Sequence, residues 1–133
     1  MSTTTTAYEN SELKNVIPSG AYTTDQTSGD YVALRGSRLM LFLDVSVSSG
    51  GGSIKLQLQI KDPTTGHYFT VWTAAAAVTG SITQKLYYFA DGASGGSATE
   101  VLGFGLPGAT WRVVAAAQNA SSLTYSVSAA VLY

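Results

Sequence analysis

A single histidine, His67, is the only imidazole this chain offers for proton transfer, and it follows directly on the segment Asp62-Pro63-Thr64-Thr65-Gly66. General acid or base catalysis needs groups whose pKa values are tuned by close neighbours. A lone histidine at the start of a strand is most often a surface or half-buried polar residue, and no G-x-S-x-G elbow supplies a nucleophile for it to activate. Paired carboxylates are the other economical route, as in glycoside hydrolysis. The acids are Glu9, Glu12, Asp25, Asp30, Asp44, Asp62, Asp91 and Glu100. Most fall in predicted turns or loops, where Asp accepts from the backbone just ahead of it. Asp44 differs, because it stands inside an apolar run. It is expected at an outward or edge position, or paired with Arg38 or Arg112, ahead of any part as a general acid or metal ligand.

Metal chemistry lacks its ligands. No Asp-x-Asp-x-Asp loop, His-x-x-x-His pair or cysteine is present. The segment Gly103-Phe104-Gly105-Leu106-Pro107-Gly108 fits G-x-G-x-x-G on paper. A phosphate loop of that kind must open a helix, whereas Pro107 interrupts this one and Thr110-Trp111-Arg112-Val113-Val114 reads as a strand. A glycine-rich β connection is the better description. The chain is therefore expected to have no catalytic residues, no cofactor and no metal, and not to be an enzyme. The rings of Trp72, Trp111, Tyr87, Tyr88 and Phe89 could form a sugar platform, but in a small β-protein such rings more often fill the core. Because Tyr87 and Tyr88 are adjacent on a predicted strand, they point to opposite faces, leaving at least one exposed or at an interface.

The elements that would carry these residues are strands. Ile54, Leu56, Leu58 and Ile60 alternate with Lys55, Gln57, Gln59 and Lys61, the period-two signature of a strand with one dry face. Leu39-Met40-Leu41-Phe42-Leu43 is apolar at every position before Asp44-Val45-Ser46-Val47 restores alternation. This predicts a central strand covered on both sides at one end. Ser48–Ser53, with Gly50-Gly51-Gly52 inside, joins the two. Asp62–Gly66 has turn chemistry throughout and leads to a strand at His67–Trp72. Further strands are expected near Ile82–Phe89, Thr110–Ala117 and Leu123–Leu132, with a soft loop at Asp91–Thr99. The only helical candidates, Thr73–Val78 and Val114–Ala117, are too short to compete. The expectation is an all-β, antiparallel β-sandwich or jelly-roll-like domain of about seven or eight strands, spanning residues 31–133. Residues 1–30 read as an extended, partly irregular N-terminal arm with at most one or two short strands. One helical turn could open at Ser11-Glu12-Leu13-Lys14, and Pro18 and Gly20 would stop it.

At 133 residues, the chain suits one domain. Its 45% hydrophobic and 11% charged residues exclude intrinsic disorder. The seven basic residues are scattered singly and the formal net charge is −1, which argues against nucleic-acid binding and against polybasic membrane attachment. Met1–Asn10 lacks the basic and apolar regions of a secretory signal, so the chain is expected to fold in the cytoplasm where it is made. A charge-poor, hydroxyl-rich surface suits protein–protein contact, since few ionic groups must lose water on docking.

The stretch from about residue 31 to the C-terminus resembles a family of small proteins encoded in tailed-bacteriophage structural gene clusters. The likeness lies in Arg38-Leu39-Met40-Leu41-Phe42-Leu43-Asp44-Val45, in Leu56-Gln57-Leu58-Gln59-Ile60-Lys61-Asp62-Pro63 with Gly66 and Tyr68, in Thr110-Trp111-Arg112-Val113, and in the alternating tail to Val131. What the resemblance implies is a virion structural role: a capsid decoration, or cement, protein on the outer capsid surface. It would bind the HK97-like major capsid protein and copies of itself, commonly as a homotrimer, after synthesis in the bacterial host cytoplasm. The alternative is a tail or fibre component with a receptor- or glycan-binding sandwich. For a partner subunit, the expected contact residues are Leu13, Val16, Ile17 and Tyr22 of the arm, with Tyr87 and Tyr88.

Overall fold

The computed structural model describes residues 11–33, 37–46, 51–90, 99–102, 105 and 109–132. These form β1 (Ser11–Tyr22), β2 (Gln26–Thr27), β3 (Tyr31–Val32), β4 (Arg38–Val45), β5 (Ser53–Lys61), β6 (Tyr68–Thr73), β7 (Val78–Thr79), β8 (Gln84–Phe89), β9 (Thr99–Leu102), β10 (Thr110–Ala117) and β11 (Leu123–Leu132). No helix occurs among them. The alternation of β5 is realised at Ile54, Leu56 and Leu58, which are buried, while Ile60, expected on the same dry face, is only partly buried against the core and the alternate residues are half-buried on the wet face.

The strands make two sheets packed into a sandwich. One has the order β1-β11-β4-β8-β9, the other β2-β10-β5-β6, with β3 beside β10 and β7 beside β5. All pairings are antiparallel except β8–β9, which is parallel. Trp111, Val113, Leu56 and Leu58 face Leu39, Leu41, Tyr87, Tyr125, Val127 and Val131 across a shared core, and these side chains are essentially inaccessible. Trp72 packs edge-on against both Tyr87 and Phe89, with ring centroids 5.3 and 4.8 Å apart. Such aromatic pairs add directional packing to the area they bury.

Turn chemistry does what the sequence predicts at Asp62–Gly66. Asp62 accepts from the Thr64 N–H and the Thr65 hydroxyl, both at 2.8 Å, and Gly66 takes φ of 78°, which an L side chain rarely adopts. Gly52 is required for a different reason. A Cβ there would stand 2.4 Å from the Ser121 carbonyl oxygen, closing off the approach by which the Gly52 N–H reaches the Ser122 carbonyl at 2.9 Å.

Three expectations differ from the structure. Residues 11–22 are neither an irregular arm nor a helical turn; they are an integral strand along β11, from Ser11 opposite Leu132 to Tyr22 opposite Leu123. Register shifts between Asn15 and Ile17, and again between Ile17 and Gly20, absorb Pro18 and disrupt the period-two pattern. Thr99, the last residue of the loop expected at Asp91–Thr99, opens β9, a short strand whose parallel pairing needs a long connection, while 91–98 lie outside the described residues. The first residues after β1 are structural too. Ser28, which is buried, donates its N–H to the Val113 carbonyl and accepts the Val113 N–H on its hydroxyl, both at 2.9 Å. The serine side chain thus continues the ladder between β2 and β3. Residues 1–10 of the expected arm, and most of the glycine-rich 103–108 segment, lie outside the described residues.

Candidate functional site

Strand β4 is the centre of the five-stranded sheet, and its alternate residues Leu39, Leu41, Leu43 and Val45 are buried against the other sheet. Arg38, Met40, Phe42 and Asp44 therefore face outward. The sequence predicts cover on both sides of this strand. Among the described residues only the inner cover exists: Phe42 is 42% exposed and Met40 half-buried.

Register turns this into a surface. Leu13 lies opposite Ala130, Ala130 opposite Met40, Met40 opposite Tyr88, and Tyr88 opposite Val101. One residue from each of the five strands thus forms an apolar row across the whole sheet, with Leu13 67% exposed at one end. The next row is mixed, running through Asn15, Ser128, Phe42 and Leu86, and the row beyond it is polar, with Ser126, Asp44 and Gln84. Open grooves flank Phe42 on both sides. One is lined by Asp44, Gln84, Lys85, Leu86, Ser126 and Ser128, the other by Leu13, Lys14, Asn15 and Ser128. Cross-strand neighbours on one face lie close enough for such side chains to merge into one patch.

Of the contact residues expected from the sequence, this face gathers Leu13 and Tyr88. Tyr22 is half-buried; its ring packs edge-on against Tyr125 at 5.2 Å and its hydroxyl donates to the Pro18 carbonyl. Val16, Ile17 and Tyr87 are buried in the chain's own core, so their side chains serve folding and are out of a partner's reach. Met40, Phe42 and Leu86 were not among the expected contacts, although the unbroken apolar run of β4 was the signal for the first two; Ala130 of the same row is buried.

The outer face of the second sheet is different in kind. Tyr68 donates its hydroxyl to Asp30, 2.7 and 2.8 Å from the two carboxylate oxygens. The Arg112 guanidinium stacks 3.3 Å from the centroid of the Tyr68 ring, while its Nε donates to Gln59 at 2.8 Å. Lys61 completes an ion pair with Asp30 at 3.4 Å. The Tyr68 hydrogen bond, chiefly, holds the Asp30 carboxyl below its ordinary 3.8. A carboxylate depressed on folding stabilises the fold above its unfolded pKa and loses that contribution as pH falls through the lower folded value. Tyr68→Phe is therefore expected to lower the melting temperature at neutral pH by a small amount, since Asp30 is exposed. Melting curves of the two proteins should converge as pH is taken well below 3.8; a difference that persists in acid would mean that ring packing, not the hydrogen bond, carries the effect.

The groups with catalytic potential stay apart. His67 is exposed just past its turn, and its backbone N–H is held by the Thr65 hydroxyl at 3.2 Å. Asp44 points outward on β4, as one of its expected placements has it, while Arg112 is engaged on the other sheet. Among the described residues no three of His, Asp or Glu converge as a metal site would require. Trp111 Nε1 and the Tyr125 hydroxyl are buried without hydrogen-bond partners among the described residues. Burial pushes the Tyr125 hydroxyl far above its ordinary 10.0, so it remains protonated. Among the described residues Asp44 and Lys85 line one open groove together, with no histidine or second carboxylate in its lining. No protein-family model matches this chain, and no curated protein matches it.

Proposed function

We propose that this protein is a structural part of a tailed-phage virion, a decoration or cement protein that stabilises the capsid shell by protein–protein contact with capsid subunits and with copies of itself. The observation that carries the reading is the outer face of the five-stranded sheet, which no described residue covers and where an apolar row crosses all five strands. A contiguous apolar patch on a small protein marks an interaction surface. The sparse charge of the chain keeps the cost of stripping water from such a surface low. The likeness of the β4, β5 and β10 segments to small phage structural proteins gives the partner class.

The competing reading, a glycan-binding tail or fibre module, needs exposed rings on which sugars stack. Trp72 and Trp111 are buried, which removes the strongest platform residues. Purified particles of the phage that encodes the chain provide the test. The protein should be present in stoichiometric copy number on the shell, and particles lacking it should lose DNA or break at lower temperature. Its absence from shells and its presence on tails would sink the proposal.

A further inference from the structure

The outer face of the central strand carries its charges in a fixed order. Along β4 the outward residues run Arg38, Met40, Phe42, Asp44, a cation at one end, an anion at the other and two large apolar side chains between. Both charged residues are exposed and neither belongs to the Lys14–Glu12 or Lys61–Asp30 pair, while Lys85 of β8 lines the groove beside Asp44. The strand is third of five, so this order runs through the middle of the apolar face.

We infer that the occupant of this face is a second copy of the chain, packed face to face across a two-fold axis that lies in the plane of the interface, perpendicular to β4 and level with Leu41. The inference rests on reading the face as a protein contact surface. Two packed sheets keep their strands roughly aligned, about 10 Å apart, and a two-fold interface must be complementary to itself. Only two such axes keep β4 over β4. If the axis runs along the strand, Arg38 meets Arg38 and Asp44 meets Asp44, so like charges oppose each other. If the axis runs across the strand, β4 lies antiparallel to its copy. Arg38 then meets Asp44 twice, and Met40 of each copy packs on Phe42 of the other. Charge complementarity selects the second.

The lateral order of strands is preserved by that axis, so the wholly apolar row of one copy covers the mixed row of the other. Tyr88 comes over Leu86 and Ala130 over Ser128, so large side chains meet above β8 and small ones above β11, on either side of the Met40–Phe42 contacts. The face measures roughly 20 Å along the strands by 24 Å across them, from strand rise and spacing. A pair would bury about 1,000 Å² over both copies, the lower limit for a specific interface. The dimer is accordingly weak and concentration-dependent, and it is a two-fold pair, not the trimer that the family resemblance implies.

Sedimentation velocity over a concentration series, on the full chain, tests this with Arg38→Glu, Asp44→Lys and the double reversal. The two side chains are exposed, so the variants should melt with the wild type. The wild type should show a monomer–dimer equilibrium. Each single reversal should raise the dissociation constant about tenfold or more, and the double reversal should return it to within about threefold of the wild-type value. A wild type that stays monomeric or forms trimers, single reversals without effect, or a double reversal that fails to recover, would each overturn the pair. Phe42→Glu read out on particles separates the pair from the virion proposal. A monomeric wild type that decorates shells, and loses this with Phe42→Glu, assigns the face to a shell subunit instead. A dimer found on no particle leaves the pair standing and removes the cement function.

Discussion

Leu56→Asp should abolish the native fold. Leu56 is completely inaccessible in the middle of β5, opposite Ala115 of β10, in the centre of the six-stranded sheet. A carboxylate there has neither a partner nor water, and placing it in the core costs on the order of 5 kcal/mol even after it takes up a proton. That is comparable to the whole stability of a domain this size, roughly 5–15 kcal/mol. Near-ultraviolet circular dichroism should lose the signals of Trp72 and Trp111, and the soluble yield should collapse. Leu56→Ala, which leaves only a cavity, should lower the melting temperature while keeping those signals, with a loss of about 2–5 kcal/mol. A folded, cooperative Leu56→Asp protein would contradict the packing of the two sheets.

Removal of residues 1–20 is the second change of that size. An arm lying on a neighbour could be trimmed without harm to the fold, but β1 is the partner of β11 over nearly its whole length. The truncation strips away Val16 and Ile17, both buried. Their burial alone is worth about 1.5–3 kcal/mol apiece. It also leaves the backbone groups of β11 without their ladder, an open edge that invites pairing between chains. The truncated protein should melt far below the full chain and aggregate. A deletion ending at residue 10 keeps every β1–β11 pair, which begin at Ser11, and is the matched control. An equally large loss in that control would overturn the assignment of the effect to β1.

What could be read in advance follows a physical division. Strands with one wet face and regular register, such as β5 and β11, declare themselves through alternation, and the two-sheet architecture follows from several of them spaced by turns. β1 hides because two register shifts and Pro18 break its period. The pattern therefore resembles a loop even though the segment pairs along its length. β9 hides because four residues in a parallel pair leave too little pattern to detect. The candidate surface was half legible. An apolar run at Leu39–Leu43 requires cover on both faces, but only the fold reveals that no described residue supplies the outer cover and that Leu13 and Tyr88 extend the patch. The Asp30–Tyr68–Arg112 cluster was beyond reach from the sequence, because its members come from β6, β10 and the segment before β3. Only the folded sheet brings them together.

The neighbours at the margin of the five-stranded sheet are the first and the last strands among the described residues, with Ser11 opposite Leu132. During synthesis β1 emerges more than a hundred residues before its mate, and β4 likewise waits for β11 to separate it from β1. Closure of the sheet therefore spans long loops and is slow for a protein of this size. The same geometry brings the two ends of the described chain to one corner. A short linker could join them there and new termini be opened in a surface turn such as Asp62–Gly66, giving a circular permutant in which β11 is made directly before β1 and the slow encounter becomes a local one.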